Sequence, residues 1–385
     1  MCAVLKSRSS DLKFEFVAGD TVRFLADLNS GSPSMDWRKG SSVSFTRAWM
    51  SNVPDYAGGI LEMALYAVPC LQSADIASVG MNCLFNGPAW RNNMEDSVYT
   101  YTLLLPDQLP QYLGCTCVGI ETLHPPFCLL PCELPLKPSQ LAHREDFERW
   151  LHRVLVRILA PPHTAANPGY CILLPTTLRT FVQLLLRTIE VGYQPSWISD
   201  LLSSILADSL HSSCRPYQTT PLPAHTIASP RPLAKLQLSS WMADVEGVLA
   251  AALPILPRGL DFSSACLNIA DTAIFRATVH SVHPGQSYNR NPGLALIFCA
   301  PGFNPTRSAF TTHKVLLSET PQGGDVQIFY SILRCDIDVC TRTGTVSWRM
   351  SIARVEKMQQ AGWILYLWQA DGPFVGKSLA NTLRF

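Results

Sequence analysis

Four cysteines and one histidine fall within the 20 residues LGCTCVGIETLHPPFCLLPC, from Leu113 to Cys132. Thiolates and imidazoles are the ligands of zinc, and closely spaced cysteines grip an ion from a single turn. The spacing is Cys115-x-Cys117, then His124, then Cys128-x3-Cys132. On a strand Cys115 and Cys117 project to one side, and Cys128 with Cys132 makes a second half-site. The same residue types serve reactive thiols and disulfides. Against all of these stand the intervening Val118, Ile120, Leu123, Phe127, Leu129 and Leu130, with Pro125, Pro126 and Pro131. The glycines and polar residues of zinc knuckles are missing, and free cysteine packs as a small hydrophobe. The expectation is a buried apolar segment with no cofactor. A zinc-binding or Cys/His catalytic site near residues 115–132 is the alternative.

Other chemistry is sparse. The pair Cys335 and Cys340 lies inside a strand-like pattern and reads as packing. No G-x-S-x-G elbow, G-x-x-x-x-G-K-[ST] loop, H-E-x-x-H or G-x-G-x-x-G occurs. Nothing selects Cys171 and any one of the 9 histidines as a nucleophile and base. Asp336 and Asp338 share a strand face, which suits a cation or simple solvation. His280, His283, Tyr288 and Arg290 fall in a turn-like stretch. No catalytic residue is assigned, and the chain reads as a non-enzyme.

Arg149, Arg153 and Arg157 recur at i, i+4 and i+8, beside an apolar helical face, and Glu145 precedes Arg149 by one turn. The stripe suits phosphate or a partner's acidic surface; as a solvated face it would carry one ion pair. Farther on, HSSCRPYQTTPLPAHTIASPRPLAKLQ has no period. Pro221, Pro223, Pro230 and Pro232 favour an extended path there, read as an arm on a neighbouring subunit or as a tether.

The elements that must position these groups change type along the chain. Residues 12 to about 110 alternate like strands in LKFEFVAGDTVRFLADL, SSVSFTRAWM, GGILEMALYAVPC, SVGMNCLFNG and SVYTYTLLLP. From Pro138 the period becomes helical, with Ser139 as cap and Pro161-Pro162 as stop. Further helices are expected in TTLRTFVQLLLRTIEVG, in PSWISDLLSSILADSL with Ser196 as cap, and in SSWMADVEGVLAAALPIL. Strands return from about residue 272 in TAIFRATVHSV, GLALIFCAP, FTTHKVLLSE, GDVQIFYSILRCDIDVC, TGTVSWRMSIARV and GWILYLWQADG, with a hairpin at Thr343-Gly344. The expected fold is α+β: strand-rich, β-sandwich-like N- and C-terminal parts interrupted by a central helical subdomain. The parts run 1–135, 136–260 (with the arm at 211–238) and 261–385, the last packing with the first.

Composition points to a class of role. Charged residues are 15% of the 385-residue chain, against about 25% in an ordinary soluble protein. The cations are 22 Arg to 8 Lys, and arginine is the cation of paired and interface sites. A net charge of +1 with no basic tail gives no footprint for a nucleic-acid binder. No signal-peptide h-region and no bilayer-length apolar run is found, so the 13 cysteines read as mostly free thiols of a reducing compartment. The expectation is a structural assembly subunit, most simply a viral capsid or capsid-associated protein, meeting copies of itself or other shell proteins. It would reside in the virion or host cytoplasm, without a membrane.

Overall fold

In the computed structural model the described residues are 16, 18–30, 44–73, 76–83, 86, 94–119, 127–162, 177–218, 221, 223, 232–257, 260, 262, 271–280, 294–303, 311–317, 325–338, 340–341, 343–369 and 374–379. The fold is mixed α+β, as expected, but several stretches that alternate like strands are helices.

The first is α1 (Thr21–Ser30). Its Gly-Asp signal is a helix start: the Asp20 carboxylate accepts from the N–H of Arg23 at 2.8 Å, and Leu25 is buried. After β1 (Arg47–Ser51) the chain coils through Gly59–Glu62, Met63–Ala67 and Val68–Cys70. Residues 60–68 are all buried. A run buried all round has no period, so only tertiary packing separates helix from strand there. Then come β2 (Ser78–Asn82) and α2 (Met94–Thr102), the latter started by Glu95 and Asp96 in its first turn despite its β-branched and aromatic residues. The hairpin β3 (Cys115–Gly119) and β4 (Phe127–Pro131) completes a four-stranded sheet of order β1-β2-β4-β3.

The central helices stand where their periods put them. They are α3 (Arg144–Leu159), α4 (Leu178–Val191), α5 (Pro195–Leu206) and, after the two-residue strands β5 (His211–Ser212) and β6 (Ala234–Lys235), α6 (Met242–Ala252). Their caps differ from expectation. Ser139 sits in a separate turn, Pro138–Gln140, and α3 starts after His143. Ser196 lies inside α5, whose first residue is Pro195, since a proline at N1 needs no N–H partner. Thr177 caps α4, and Gly192 closes it as expected.

The C-terminal part holds β7 (Thr272–His280), β8 (Leu294–Cys299), α7 (Thr312–Leu316), β9 (Val326–Phe329), β10 (Arg334–Asp338), β11 (Thr343–Ser351), α8 (Ile352–Gln360), β12 (Ile364–Gln369) and β13 (Phe374–Leu379). They form an antiparallel seven-stranded sheet, β10-β11-β7-β13-β12-β8-β9. FTTHKVLLSE is helical at α7 because Thr311 accepts from the N–H of Lys314. SIARV turns from strand into α8. The expected hairpin exists, with Thr343 and Gly344 inside β11 rather than at the turn.

Alternate residues of β8 and β12 serve two cores. Ala295, Ile297, Tyr366 and Trp368 join the cluster that also contains the central helices and the first sheet. Leu296, Phe298, Leu365 and Leu367 join Trp348, Val355 and Met358. Helix α6 is held against the large sheet at close range. A Cβ on Gly247 would lie 2.7 Å from the carbonyl oxygen of Arg349, so a larger residue would push the helix away. Three residues earlier, the buried Asp244 carboxylate accepts from the N–H groups of Tyr330 at 2.8 Å and Ser331 at 3.2 Å.

Burial pushes the Asp244 pKa up from 3.8 to about 6, outweighing the two N–H donors that lower it. A carboxyl whose folded pKa is raised adds stability that is full below its unfolded value and is lost as pH rises through the folded one. Folding should therefore lose about 2 kcal/mol from this group between pH 4 and 7. Chemical denaturation of the wild type and Asp244→Asn across that range checks it: their difference in stability should change with pH by about this amount, and a constant difference contradicts the assignment.

Candidate functional site

The cysteine stretch is set up by a short helix, Leu109–Leu113, that ends in Gly114 with φ +66°. That left-handed conformation turns the chain into β3 at little steric cost only for glycine. Arg187 of α4 secures the junction, donating from Nε to the carbonyl of Leu113 at 3.2 Å and from its guanidinium to Glu190 at 2.9 Å.

The pleat then divides the thiols. Cys115 and Cys117 point into the core and are buried, while Thr116 and Val118 point out. Cys117 is paired with Leu129, and Val118 with Cys128. Directly paired residues share a face, so Cys128 lies on the side opposite Cys117. Cys132 is on that outer side too, its sulfur 4.0 Å from the hydroxyl of Thr116. The four thiols therefore do not fit one metal ion. Among the described residues no three of His, Cys, Asp and Glu converge; His124 lies outside them, as does Cys171. Burial pushes the thiols of Cys115 and Cys117 up to about 12, and for Cys115 it prevails over the nearby Arg187 charge. At neutral pH both are protonated, inert packing groups.

What the pleat builds on the outer face is an apolar row. Trp49 pairs with Gly80, Gly80 with Cys128, and Cys128 with Val118. The row crosses all four strands. Trp49 is 61% exposed and Val118 43%, so its two ends stand open among the described residues. The Trp49 indole lies over Gly80, where a Cβ would sit 2.5 Å from the ring. Leu130, half-buried, adds to this face, and Tyr56 and Ile76 are exposed near the ends of β1 and β2.

The arginine stripe of α3 runs from solvent into the protein. Arg149 is exposed and pairs with Asp146 at 2.9 Å, one turn position away from the expected Glu145. Arg153 is half-buried and donates to the Tyr99 hydroxyl at 3.3 Å and the Leu103 carbonyl at 3.2 Å. Arg157 is half-buried as a residue, but burial of its guanidinium lowers its pKa to about 10. The stripe is thus neither a solvated face nor an open basic patch. It passes under neighbouring elements, with Arg153 bonded to Tyr99 of α2.

The described part of the arm packs beside α2 and α3 of its own chain. Its base is the β5–β6 ladder, and the Cys214 thiol donates to the carbonyl of Arg149 at 3.6 Å. Pro221 is buried, its carbonyl accepting from the Thr100 hydroxyl at 3.2 Å. This residue of the arm lies against α2 of its own chain. Pro223 is half-buried and Pro232 exposed, while Pro230 lies outside the described residues. Tyr99, Tyr217 and Arg215 were not legible as site residues, because SVYTYT reads as a strand and the arm has no period.

The remaining candidates separate. Arg334 pairs with Asp336, and Asp338 accepts from the N–H groups of Cys340 at 2.8 Å and Thr341 at 3.3 Å. The two carboxylates thus serve an ion pair and a turn. His280 ends β7; His283, Tyr288 and Arg290 lie outside the described residues. Among the described residues no helix is long and apolar enough to cross a membrane.

In comparisons with known proteins, no family model matches the chain, and neither a curated protein nor a solved structure matches it significantly. The site's own chemistry is testable by thiol labelling of the native protein at mildly alkaline pH. Of the described cysteines, Cys340, which is exposed, should react first, and Cys115, Cys117 and Cys299 only on unfolding. Comparable labelling rates for Cys340 and Cys117 would show that the inward pair is not packed as described.

Proposed function

We propose that the chain is a non-enzymatic assembly subunit, of the kind that builds a viral capsid, and that it acts by burying surface against other copies of itself. The observation that carries this reading is the outward apolar row from Trp49 to Val118. Contiguous apolar surface on a folded protein marks an interaction site more often than chance, and tryptophan is the residue most enriched at the energetic centre of interfaces. Covering the exposed part of the Trp49 ring would contribute about 3 kcal/mol.

Composition supports the same reading. A chain with 15% charged residues and 22 Arg to 8 Lys is poorly furnished with the solvated lysines of a free surface. Contacts in such an assembly would be of standard size, on the order of 1,600 Å² each. The subunit would reside in the virion and, before assembly, in the host cytoplasm.

Sedimentation velocity of the purified chain, from low micromolar to about 100 µM, tests the proposal. Mass should increase with concentration, and Trp49→Asp and Val118→Asp should each hold the chain as a monomer without lowering its thermal midpoint. A wild type that stays monomeric over the whole range, sedimenting like Trp49→Asp, would refute it.

A further inference from the structure

The edges of the two larger sheets are not alike. At one edge of the seven-stranded sheet, β9 is buried along its whole length. At the other, β10 carries the exposed charges of Arg334, Asp336 and Asp338, and charge on an edge deters pairing with a further strand. In the four-stranded sheet the edges are β3 and β1. The Gly114 carbonyl accepts from the N–H of Cys132 at 3.0 Å. Bonding alternates along an antiparallel strand, so Thr116 and Val118 also serve β4. The backbone facing the other way belongs to Cys115 and Cys117, which are buried, and to Gly119.

Strand β1 is the open edge. The Thr46 carbonyl accepts from the N–H of Ser78 at 3.1 Å, and by the same alternation Ala48 and Met50 serve β2. The N–H and C=O groups of Arg47, Trp49 and Ser51 therefore point away from the sheet. All three residues are exposed, and among the described residues no backbone group bonds to theirs. Neither a proline nor a bulge interrupts the strand. The Trp49 indole leans inward over Gly80, so it does not block the edge.

The outward groups are centred on Trp49. A two-fold axis beside Trp49 brings β1 of a second copy alongside in the antiparallel sense. It sets Trp49 against its counterpart and Arg47 against Ser51. Each such pair exchanges two hydrogen bonds at a Cα separation of about 5.5 Å. The register uses every outward group and sets no two arginines opposite each other. Paired residues share a face, so the apolar row of one copy runs on into that of the other.

We propose that β1 pairs with β1 of a second copy in this register, joining their four-stranded sheets into one. The pairing rests on the self-association proposed above and gives it a geometry. Hydrogen bonds exchanged with water contribute little net, and association costs much freedom. Burial of the doubled row against another pair supplies the rest, which is why Val118→Asp, far from the edge, also blocks association.

Sedimentation velocity from low micromolar to about 100 µM, comparing the wild type with Ser51→Pro and Ser51→Ala, tests the pairing. Proline at 51 removes an outward N–H and sets its ring where the second strand must come, leaving the bonds to β2 untouched. Ser51→Pro should need at least about tenfold more protein to associate, with the wild-type thermal midpoint in dilute solution. Ser51→Ala should associate within about twofold of the wild type. Amide hydrogen exchange of the wild type supplies a reading that needs no variant: the Trp49 and Ser51 amides should slow between dilute and concentrated protein. Equal association of the wild type and Ser51→Pro, without that slowing, would overturn the edge pairing and leave self-association through the outer face standing. Slow exchange at 47–51 already in the dilute monomer would mean that the chain covers its own edge, and would overturn the pairing too. A wild type monomeric throughout overturns both.

Discussion

Helix α3 is the member on which the rest of the molecule is hung. Phe147, Trp150, Leu151, Val154, Leu155, Ile158 and Leu159 are all buried, and each side of the helix is tied to a different element. The Trp150 indole N–H donates to the carbonyl of Thr102 at the end of α2 at 2.8 Å. Phe147 stacks on Tyr193 with ring centroids 3.9 Å apart, and the Tyr193 hydroxyl accepts from the N–H of Ala142 at 3.1 Å. At the far end, Tyr330 donates to the carbonyl of Leu159 at 3.3 Å, and a ring nitrogen of His313 lies 3.0 Å from that of Pro161. The helix is thereby bonded to α2, to the α4–α5 turn, to the strand exit after β9 and to α7. Its apolar stripe supplies the burial, and these polar contacts satisfy the groups that burial strips of water.

Because so much of α3 is enclosed, its flanking arginines cannot all reach solvent. Arg144, at the exposed start, stacks over Trp197 and pairs with Glu148 and Asp200. Arg149 finds Asp146. From Arg153 onward the helix has gone under its neighbours, and the same spacing that would make a basic patch on an isolated helix leaves Arg153 and Arg157 half-buried.

The four-stranded sheet shows a second constraint, the two-residue period of the pleat. With Cys115 and Cys117 committed to the core, the antiparallel register sends Cys128 and Val118 outward together. The register that dismantles a four-thiol cluster is also what assembles the exposed row with Trp49. Both results follow from which side of the sheet the central helices cover.

Amphipathic segments were legible directly. The stripe from Phe147 to Leu159, the Thr177 to Gly192 helix and the β7 strand stand where their periods put them, because a half-buried element writes its one-sided environment into its residues, whereas β8 and β12, buried on both faces, were legible from strand composition alone. The mixed α+β class follows from that. Segments enclosed on all sides, such as residues 60–68, or rich in β-branched and aromatic residues, such as α2, carry no such record, and tertiary packing alone made them helical. The same is true of the sites. Sequence placed Arg149, Arg153 and Arg157 on one helical stripe, and Cys115 and Cys117 on one strand face. Only the folded chain decided that the stripe descends toward Tyr99 and Tyr217, and that Cys128 faces away from Cys117, because strand register and helix docking are relations between distant segments that no local spacing encodes.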